Sequence, residues 1–422
     1  EPKTLVRFAV SQWVDARGRT CDTQDVTLLL PSATHVQSSP ADVEVSFLVI
    51  RQGGGLASQV PKGLWCSMAS IDRLFAAVHD RLGARYEVVT VFVEDSGDLD
   101  RLQPCWAKGA LRGRLRVAAY LVFPSLGSFP LPAGYVEQTS LFGLMERMEA
   151  AGIATWFPNV CCQYKTLTQK HWSAQLSFQP ELRLPAGTRV PRQTAVTDPV
   201  RAAQQALDAL ARVRAGSPAR EPQNFVLKLA PAWEGRAVWL FRSQEELAGL
   251  LSKVFRETRH DHCLVQAFIE GVRVEIRLHV VNGKVHGTSF TRCKPSSSSP
   301  IQSSFGGRDA EGGFCAAEYL ESESRSEIAQ ACFDGSIEAL LDAEEQCQRL
   351  ADTWTNFMLS DCSEPPVYVR FDFLVADEIW LGEITELGGQ MCGWQEGVRV
   401  VTDALLDRLG VVRNPIETLA IT

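Results

Sequence analysis

The sequence predicts an α/β (α+β) protein, and three observations lead there. Strand-like β-branched runs alternate with amphipathic helical stretches through the first half. Two hairpin signals, Asn282-Gly283 and Ala376-Asp377-Glu378, separate apolar runs in the second half. Hydrophobic residues make up 45% of the 422 positions and charged residues 22%, a globular balance that excludes a disordered or fibrous chain.

Val43 to Ile50 reads as a strand, with Gly53-Gly54-Gly55 behind it as a plain loop. Ser70 caps a helix to Leu82, in which Leu74, Val78 and Leu82 form one stripe. Val88 to Val93 and Leu115 to Phe123 are further strands, and their spacing by helices implies a mostly parallel sheet. The uncharged run from Val117 to Val136 has the length of a membrane helix, but Pro124, Pro130 and Pro132 interrupt it, so a strand and loop are expected. A helix from Leu141 to Ala151 stops at Gly152. Prolines at 180, 185, 191 and 199 mark a boundary. The organisation expected is an amino-terminal α/β domain over 1–139, a connecting region over 140–198 and a final domain over 199–422.

Pro199 starts a helix to Arg214. Phe225 to Leu229 and Ala237 to Phe241 are strands, and Ser243 with Glu246 predicts a capping box for a helix to about Glu257. Leu264 to Ile269 leads into Val272 to Val281, then Asn282-Gly283 and Lys284 to Phe290, read together as the clearest hairpin region. Lys294 to Gly313, rich in Ser and Gly, reads as a mobile loop, and a long helical region covers about Arg325 to Leu359. Val367 to Val375 and Ile379 to Glu386 close the fold as antiparallel strands.

Lys plus Arg number 42 against 50 Asp plus Glu, a net charge of -8, which excludes the broad positive field of a nucleic-acid binder. Twelve cysteines without any C-x-x-C read as thiols that are mostly reduced and buried, not as a disulfide framework. A soluble protein of a reducing compartment, cytoplasm or organelle interior, is expected; the chain opens on Glu1, which leaves a removed leader open.

The chemistry concentrates on the last strand pair. Pairing Val375 with Trp380 sets Asp372 opposite Glu383, with Arg370 and Asp372 on one face and Val369, Phe371 and Phe373 in the core. Two facing carboxylates repel unless a cation joins them: either Mg²⁺, which suits oxygen ligands, or Arg370. Glu275, Arg277 and His279 alternate with apolar residues and form a charged row, read by itself as a solvent-facing strand surface. Lys228 lies in an apolar strand and needs an anion, either a phosphate or a carboxylate. His260, His262 and Cys263 read as a turn more readily than a metal site, and Cys161-Cys162, with only Lys165 nearby to activate it, gives little support for a nucleophile.

In their order along the chain these segments resemble the ATP-grasp superfamily, over about residue 140 to the end. Phe225-Val226-Leu227-Lys228 is similar to its strand with the phosphate-contacting lysine, and Gln266-Ala267-Phe268-Ile269-Glu270 to its adenine hinge and ribose-contacting acid. Phe157-Pro158-Asn159, Lys170 and Leu184-Pro185 resemble the pre-ATP region. Arg370-Phe371-Asp372-Phe373 with Gly382-Glu383-Ile384-Thr385 resembles the closing motif of the teichuronopeptide-biosynthesis (TupA-like) branch.

The resemblance implies an ATP-grasp fold behind an amino-terminal pre-ATP-grasp and substrate domain, with ATP and Mg²⁺ as cofactors. It implies nucleotide contacts from Lys170, Lys228, Gln266, Ala267, Phe268, Ile269, Glu270 and Glu275, and metal ligands in Asp372, Glu383 and Thr385, with Glu386 as a further acid. Arg277, Arg292 and Arg370 are the catalytic set, stabilising the transferred phosphoryl group or acyl phosphate, and Lys294 is a further phosphate contact. The implied reaction joins a small-molecule or peptide carboxylate to an amine through an acyl phosphate. The alternative is a degenerate relative acting as a nucleotide-binding or structural subunit, which leaves protein partners open. Three departures favour it: Leu229-Ala230-Pro231 with only Gly235 where a Gly-rich phosphate loop is usual, Gln266-Ala267 where acids are common, and Arg292 and Lys294 set beside a Ser-rich loop; the intact Asp372 and Glu383 argue against it.

Overall fold

The computed structural model describes residues 43–52, 68–83, 85–93, 95–121, 136–155, 160–214, 224–229, 238–258, 260–294, 306–308, 314–316, 318–321, 324–361, 365–385, 394 and 396–410. The triple glycine at 53–55, Pro124 to Pro132, Phe157 to Asn159, Ala230 to Gly235, the Ser-rich 296–299 and Glu386 lie outside the described residues.

The first layer is built from β1 (Val45–Gln52), α1 (Met68–Leu82), β2 (Tyr86–Val93), α2 (Ser96–Arg101), α3 (Pro104–Ala110), β3 (Leu115–Leu121), α4 (Gln138–Ala150) and β4 (Ala154–Thr155). Its sheet runs β2-β1-β3-β4 and is parallel throughout, as strands spaced by crossover helices require. Leu48, Ile50, Val89 and Val91 face α4, through Leu144, Met145 and Met148, so this core takes in residues beyond 139.

The second layer comprises α5 (Cys161–Gln169), α6 (His171–Leu176), β5 (Gly187–Pro191), α7 (Arg192–Thr197), α8 (Pro199–Arg214), β6 (Phe225–Lys228), β7 (Val238–Phe241), α9 (Gln244–Glu257) and β8 (His262–Ala267). Its sheet, β5-β8-β6-β7, is antiparallel and buries Leu227, Phe241 and Val265 against α8 and α9. The Ser243 hydroxyl caps α9 by accepting the Glu246 N–H at 3.2 Å. Only half of the expected box forms, because the Glu246 carboxylate takes the N–H of Arg242 at 2.9 Å instead of that of Ser243.

The third layer holds β9 (Val274–Val281), β10 (Lys284–Lys294), β11 (Gly306–Arg308), β12 (Phe314–Ala316), β13 (Glu318–Glu321), α10 (Arg325–Cys332), α11 (Ile337–Asp361), β14 (Tyr368–Val375), β15 (Ile379–Thr385) and α12 (Gly397–Arg408). The central sheet is antiparallel, in order β13-β10-β9-β14-β15, while β11, inside the stretch expected to be loop, pairs separately with β12 just beyond it. Asn282 and Gly283 turn β9 into β10 with φ of 48° and 76°, the double positive φ of a type I′ turn. The expected run of three strands is corrected in one respect: β8 and β9 belong to different sheets, so 268–273 is a crossing between layers. The long helical region is two helices, interrupted at Asp334 and Gly335.

One face of the central sheet is apolar. Ile276, Leu278, Val369, Phe371, Phe373 and Leu381 bury against Leu340, Cys347, Ala351 and Trp354 of α11. Each such side chain removed from water contributes roughly 1.5–3 kcal/mol, which fixes that face and turns the charged face away from the helices. The chain end returns to the first layer, where α12 packs Val401, Leu405 and Leu406 on Phe47 and Val49. Arg81 of α1 clasps Asp403 at 3.0 Å and also Asp407 of this helix. No described helix is long and apolar enough to cross a membrane. Of the six cysteines whose side chains are described, all free, three are buried, two exposed and one between, so the expected mostly buried thiols are found in half of them.

Candidate active site between the two antiparallel sheets

Asp372 of β14 does stand opposite Glu383 of β15, by a different register from the one expected. Val375 pairs with Ile379 and Leu374 with Trp380, and a β-bulge at Gly382 then inserts one residue before Glu383. Strict alternation would place Glu383 on the same face as the buried Leu381; the bulge returns it to the polar face, beside Thr385. A Cβ on Gly382 would come within 2.8 Å of the Leu374 side chain, so the bulge needs a residue without one.

Asp372 is 2% exposed, and its two oxygens accept from Nε and Nη2 of Arg370, both at 2.6 Å. The Thr385 hydroxyl adds a bond to Oδ2 at 3.2 Å. Burial pushes the Asp372 carboxyl up, but Arg370 and Arg277 outweigh it and hold the group below the usual range. On β9, Arg277 pairs with Glu275 at 2.7 Å. Burial and Asp372 together push the Glu275 carboxyl above its ordinary range against the pull of Arg277. The row of Glu275, Arg277 and His279 is therefore not solvent-facing: each is under 9% exposed. Alternation identifies a polar face but not what covers it.

His279 is fully buried between the Tyr368 hydroxyl at 3.0 Å and the Ser289 hydroxyl at 3.1 Å, with the Trp394 indole 4.9 Å away. Sequence reasoning missed these three companions. Tyr368 was reachable by strand alternation from Arg370, whereas Trp394 sits in a segment without pattern. Burial, with Arg370 and Arg277 nearby, pulls the His279 pKa down to about 3. The folded state thus holds His279 neutral while the unfolded chain protonates near 6.5. Stability from this group is present above pH 6.5 and lost as pH falls toward 3, at up to about 1.4 kcal/mol per pH unit. Urea unfolding across that window is expected to show a steeper acid loss in the wild type than in His279→Gln.

The second sheet contributes Lys228 at the end of β6. Its ammonium donates to Gln266 Oε1 of β8 at 2.9 Å, and the Gln266 amide reaches back to the Pro185 carbonyl at 3.4 Å. Lys170 is the single residue between α5 and α6, in a left-handed conformation with φ of 52°. From there its ammonium reaches Glu383 at 2.5 Å. Desolvation, with Lys170 close by, pulls the Lys228 pKa down to about 8, against the opposing effect of Glu383. Lys170, Lys228, Gln266 and Glu383 thus converge from four separate segments.

The expected hinge lies at the edge of this cluster. The Ala267 N–H donates to the Ala186 carbonyl at 2.8 Å and the Phe268 N–H to the Asn224 carbonyl at 3.1 Å. Phe268 and Ile269 are half-buried. Glu270 is exposed and accepts from the Asn224 amide at 2.9 Å. Arg292 lies on β10 opposite Leu320, while Thr291 stands opposite Glu275. His262 and Cys263 are the first two residues of β8, not the turn expected there, and Cys263 is buried in the second core.

Among the described residues no group of three His, Cys, Asp or Glu gathers as a metal site. Asp372 and Glu383 with the Thr385 hydroxyl are nevertheless an all-oxygen donor set. That set fits Mg²⁺, which typically takes one or two carboxylates and completes its shell with water and phosphate oxygens.

This chain, with an antiparallel sheet bearing Lys228 beside another that bears Asp372 and Glu383, has the ATP-grasp fold. Over 86% of this chain and 96% of the other, it matches a D-alanine–D-alanine ligase from Bacillus anthracis with a TM-score of 0.52 and 14% identity. Over 86% of this chain and 99% of the other, it matches the D-cycloserine synthetase DcsG with a TM-score of 0.50 and 13% identity. At such identities the likeness establishes the fold. No protein-family model matches the chain, and no curated protein matches it.

Proposed function

We propose that this chain is an ATP-dependent carboxylate–amine ligase that proceeds through an acyl phosphate. The observation that carries the reading is the convergence of Lys170 and Lys228, from outside the central sheet, on Glu383, which stands opposite Asp372. Structures of the same fold are named as ligases and synthetases, which supports the reaction class.

Gln266 to Ile269 hold the adenine and Glu270 the ribose, with the Asn224 amide fixing the carboxylate. Lys170 and Lys228 neutralise phosphate charge, and Lys170 leaves Glu383 for a phosphate oxygen when nucleotide enters. Asp372, Glu383 and Thr385 hold Mg²⁺, which when bound screens the phosphate oxygens and orients the γ-phosphoryl group. Arg277, Arg292 and Arg370 stabilise charge on the group in flight, and Glu275 keeps Arg277 in place. No side chain acts as a covalent nucleophile.

One observation favours the degenerate alternative: each acid of the cleft already has a protein cation, Arg370 for Asp372, Arg277 for Glu275 and Lys170 for Glu383. The two readings part in a single assay. Incubated with ATP, Mg²⁺, pooled carboxylic acids and hydroxylamine, a ligase releases ADP and forms acyl hydroxamate. ATP binding without acid-dependent ADP contradicts the ligase and supports the subunit, and ADP without hydroxamate supports a kinase.

A further inference from the structure

A cavity of about 120 Å³ lies on the apolar side of the central sheet, behind the carboxylates. Leu167, Trp172, Trp354, Phe357, Met358 and Ile384 supply its apolar walls, and Gln163 and Thr166 are polar members of the lining. No charged side chain lines it. The two indoles meet edge to face, 5.4 Å apart at 70°. Their donors are used within the fold: Trp354 Nε1 bonds the Leu182 carbonyl at 3.0 Å and Trp172 Nε1 the Leu167 carbonyl at 3.4 Å. What the cavity offers a guest is therefore mainly carbon and aromatic faces. A charged guest would lose its hydration without a partner, whereas an apolar ring would gain contact. An apolar cavity of roughly 150 Å³ suffices for benzene; this one is smaller but reaches the exposed Thr166, so it takes at most one ring.

Its position gives it reach. Ile384 is the residue between Glu383 and Thr385, and Leu167 and Trp172 flank Lys170. One guest would touch both elements that make the Lys170–Glu383 pair. We propose that this cavity is a binding site for a small apolar ring compound, and that its occupant modulates the cleft on the other face of the sheet by fixing the α5–α6 junction against β15.

Toluene titrated into the full chain without nucleotide tests the site. A saturable rise in Tm and saturation-transfer NMR signals from bound toluene are expected, and Met358→Trp, which fills the space, removes both. Leu176→Ala, which enlarges another wall, is expected to shift preference from toluene toward indole by about tenfold. No saturable response in the wild type, or unchanged affinities in both variants, overturns the site. The modulation rests on the ligase reading, and is expected as a change of about threefold or more in Mg·ATP affinity at saturating toluene. Equal ATP affinity with and without toluene overturns the modulation. A chain that binds toluene but no ATP contradicts the ligase reading and leaves the cavity site standing.

Discussion

Asp372→Asn is expected to cost the fold about 3–5 kcal/mol, the range for breaking a buried ion pair from one side. The substitution leaves Arg370, only 5% exposed, with its charge uncompensated. Arg370→Met strands the Asp372 carboxylate in the same way and carries a similar penalty. The double variant Arg370→Met/Asp372→Asn removes both charges and is expected to be more stable than either single one. Urea unfolding of the four proteins gives the coupling directly, and additive losses would show that the fork at 2.6 Å carries no energy of its own. All three variants are expected to lose ADP formation, since Asp372 is a proposed metal ligand and Arg370 a proposed catalytic group. Glu383→Gln separates chemistry from folding: Glu383 keeps about a third of its side-chain surface exposed, so its loss should spare the fold while removing the Mg²⁺-dependent part of ATP binding.

The second large effect concerns Lys228 and pH. Desolvation holds its folded pKa at about 8, so near neutral pH the folded chain carries an ammonium it has reason to lose. Because the folded pKa lies below that of the unfolded chain, this penalty is fully present below pH 8 and relieved as pH rises toward 10.5. Phosphate binding reverses the preference, since a polyanion beside the ammonium favours its charged form. ATP binding above pH 8 must therefore take up a proton, and affinity should fall with rising pH, approaching tenfold per unit. Titration calorimetry in two buffers of different ionisation enthalpy measures that proton directly. Proton uptake is expected to appear above pH 8 and vanish in Lys228→Met, which should also bind ATP far more weakly. A proton count of zero at pH 9 would place the triphosphate elsewhere.

Which parts of this site the sequence discloses follows from the range of the forces involved. Alternation along β14 is local, so Arg370 and Asp372 on one face and Phe371 and Phe373 on the other could be read directly. The facing of Asp372 and Glu383 was reached through a pairing one residue off, and the bulge at Gly382 repaired it. The glycine stood in plain view, but its reason is a contact with Leu374 on the neighbouring strand, and only the assembled sheet supplies that. The burial of Glu275, Arg277 and His279 was illegible for the same reason, because a polar stripe says nothing of the layer packed over it. The antiparallel turn at Asn282-Gly283 was legible from two residues, since their backbone preference is nearly independent of context. The placement of β8 and β9 in different sheets was not, because the link between them carries no turn signal that distinguishes a hairpin from a crossing. Lys170 could be singled out only by resemblance; what brings it to Glu383 is the left-handed joint between two short helices, across 213 residues of sequence.

Binding of ATP with Mg²⁺ between the two antiparallel sheets is tested by thermal unfolding of the wild type beside Glu383→Gln. With ATP at about 100 times its dissociation constant, roughly 2.7 kcal/mol of added stability is predicted for the wild type. Omitting Mg²⁺ or removing the Glu383 charge is expected to erase most of that gain. A gain of equal size in both proteins, unmoved by Mg²⁺, would contradict that binding, as would no gain at millimolar ATP.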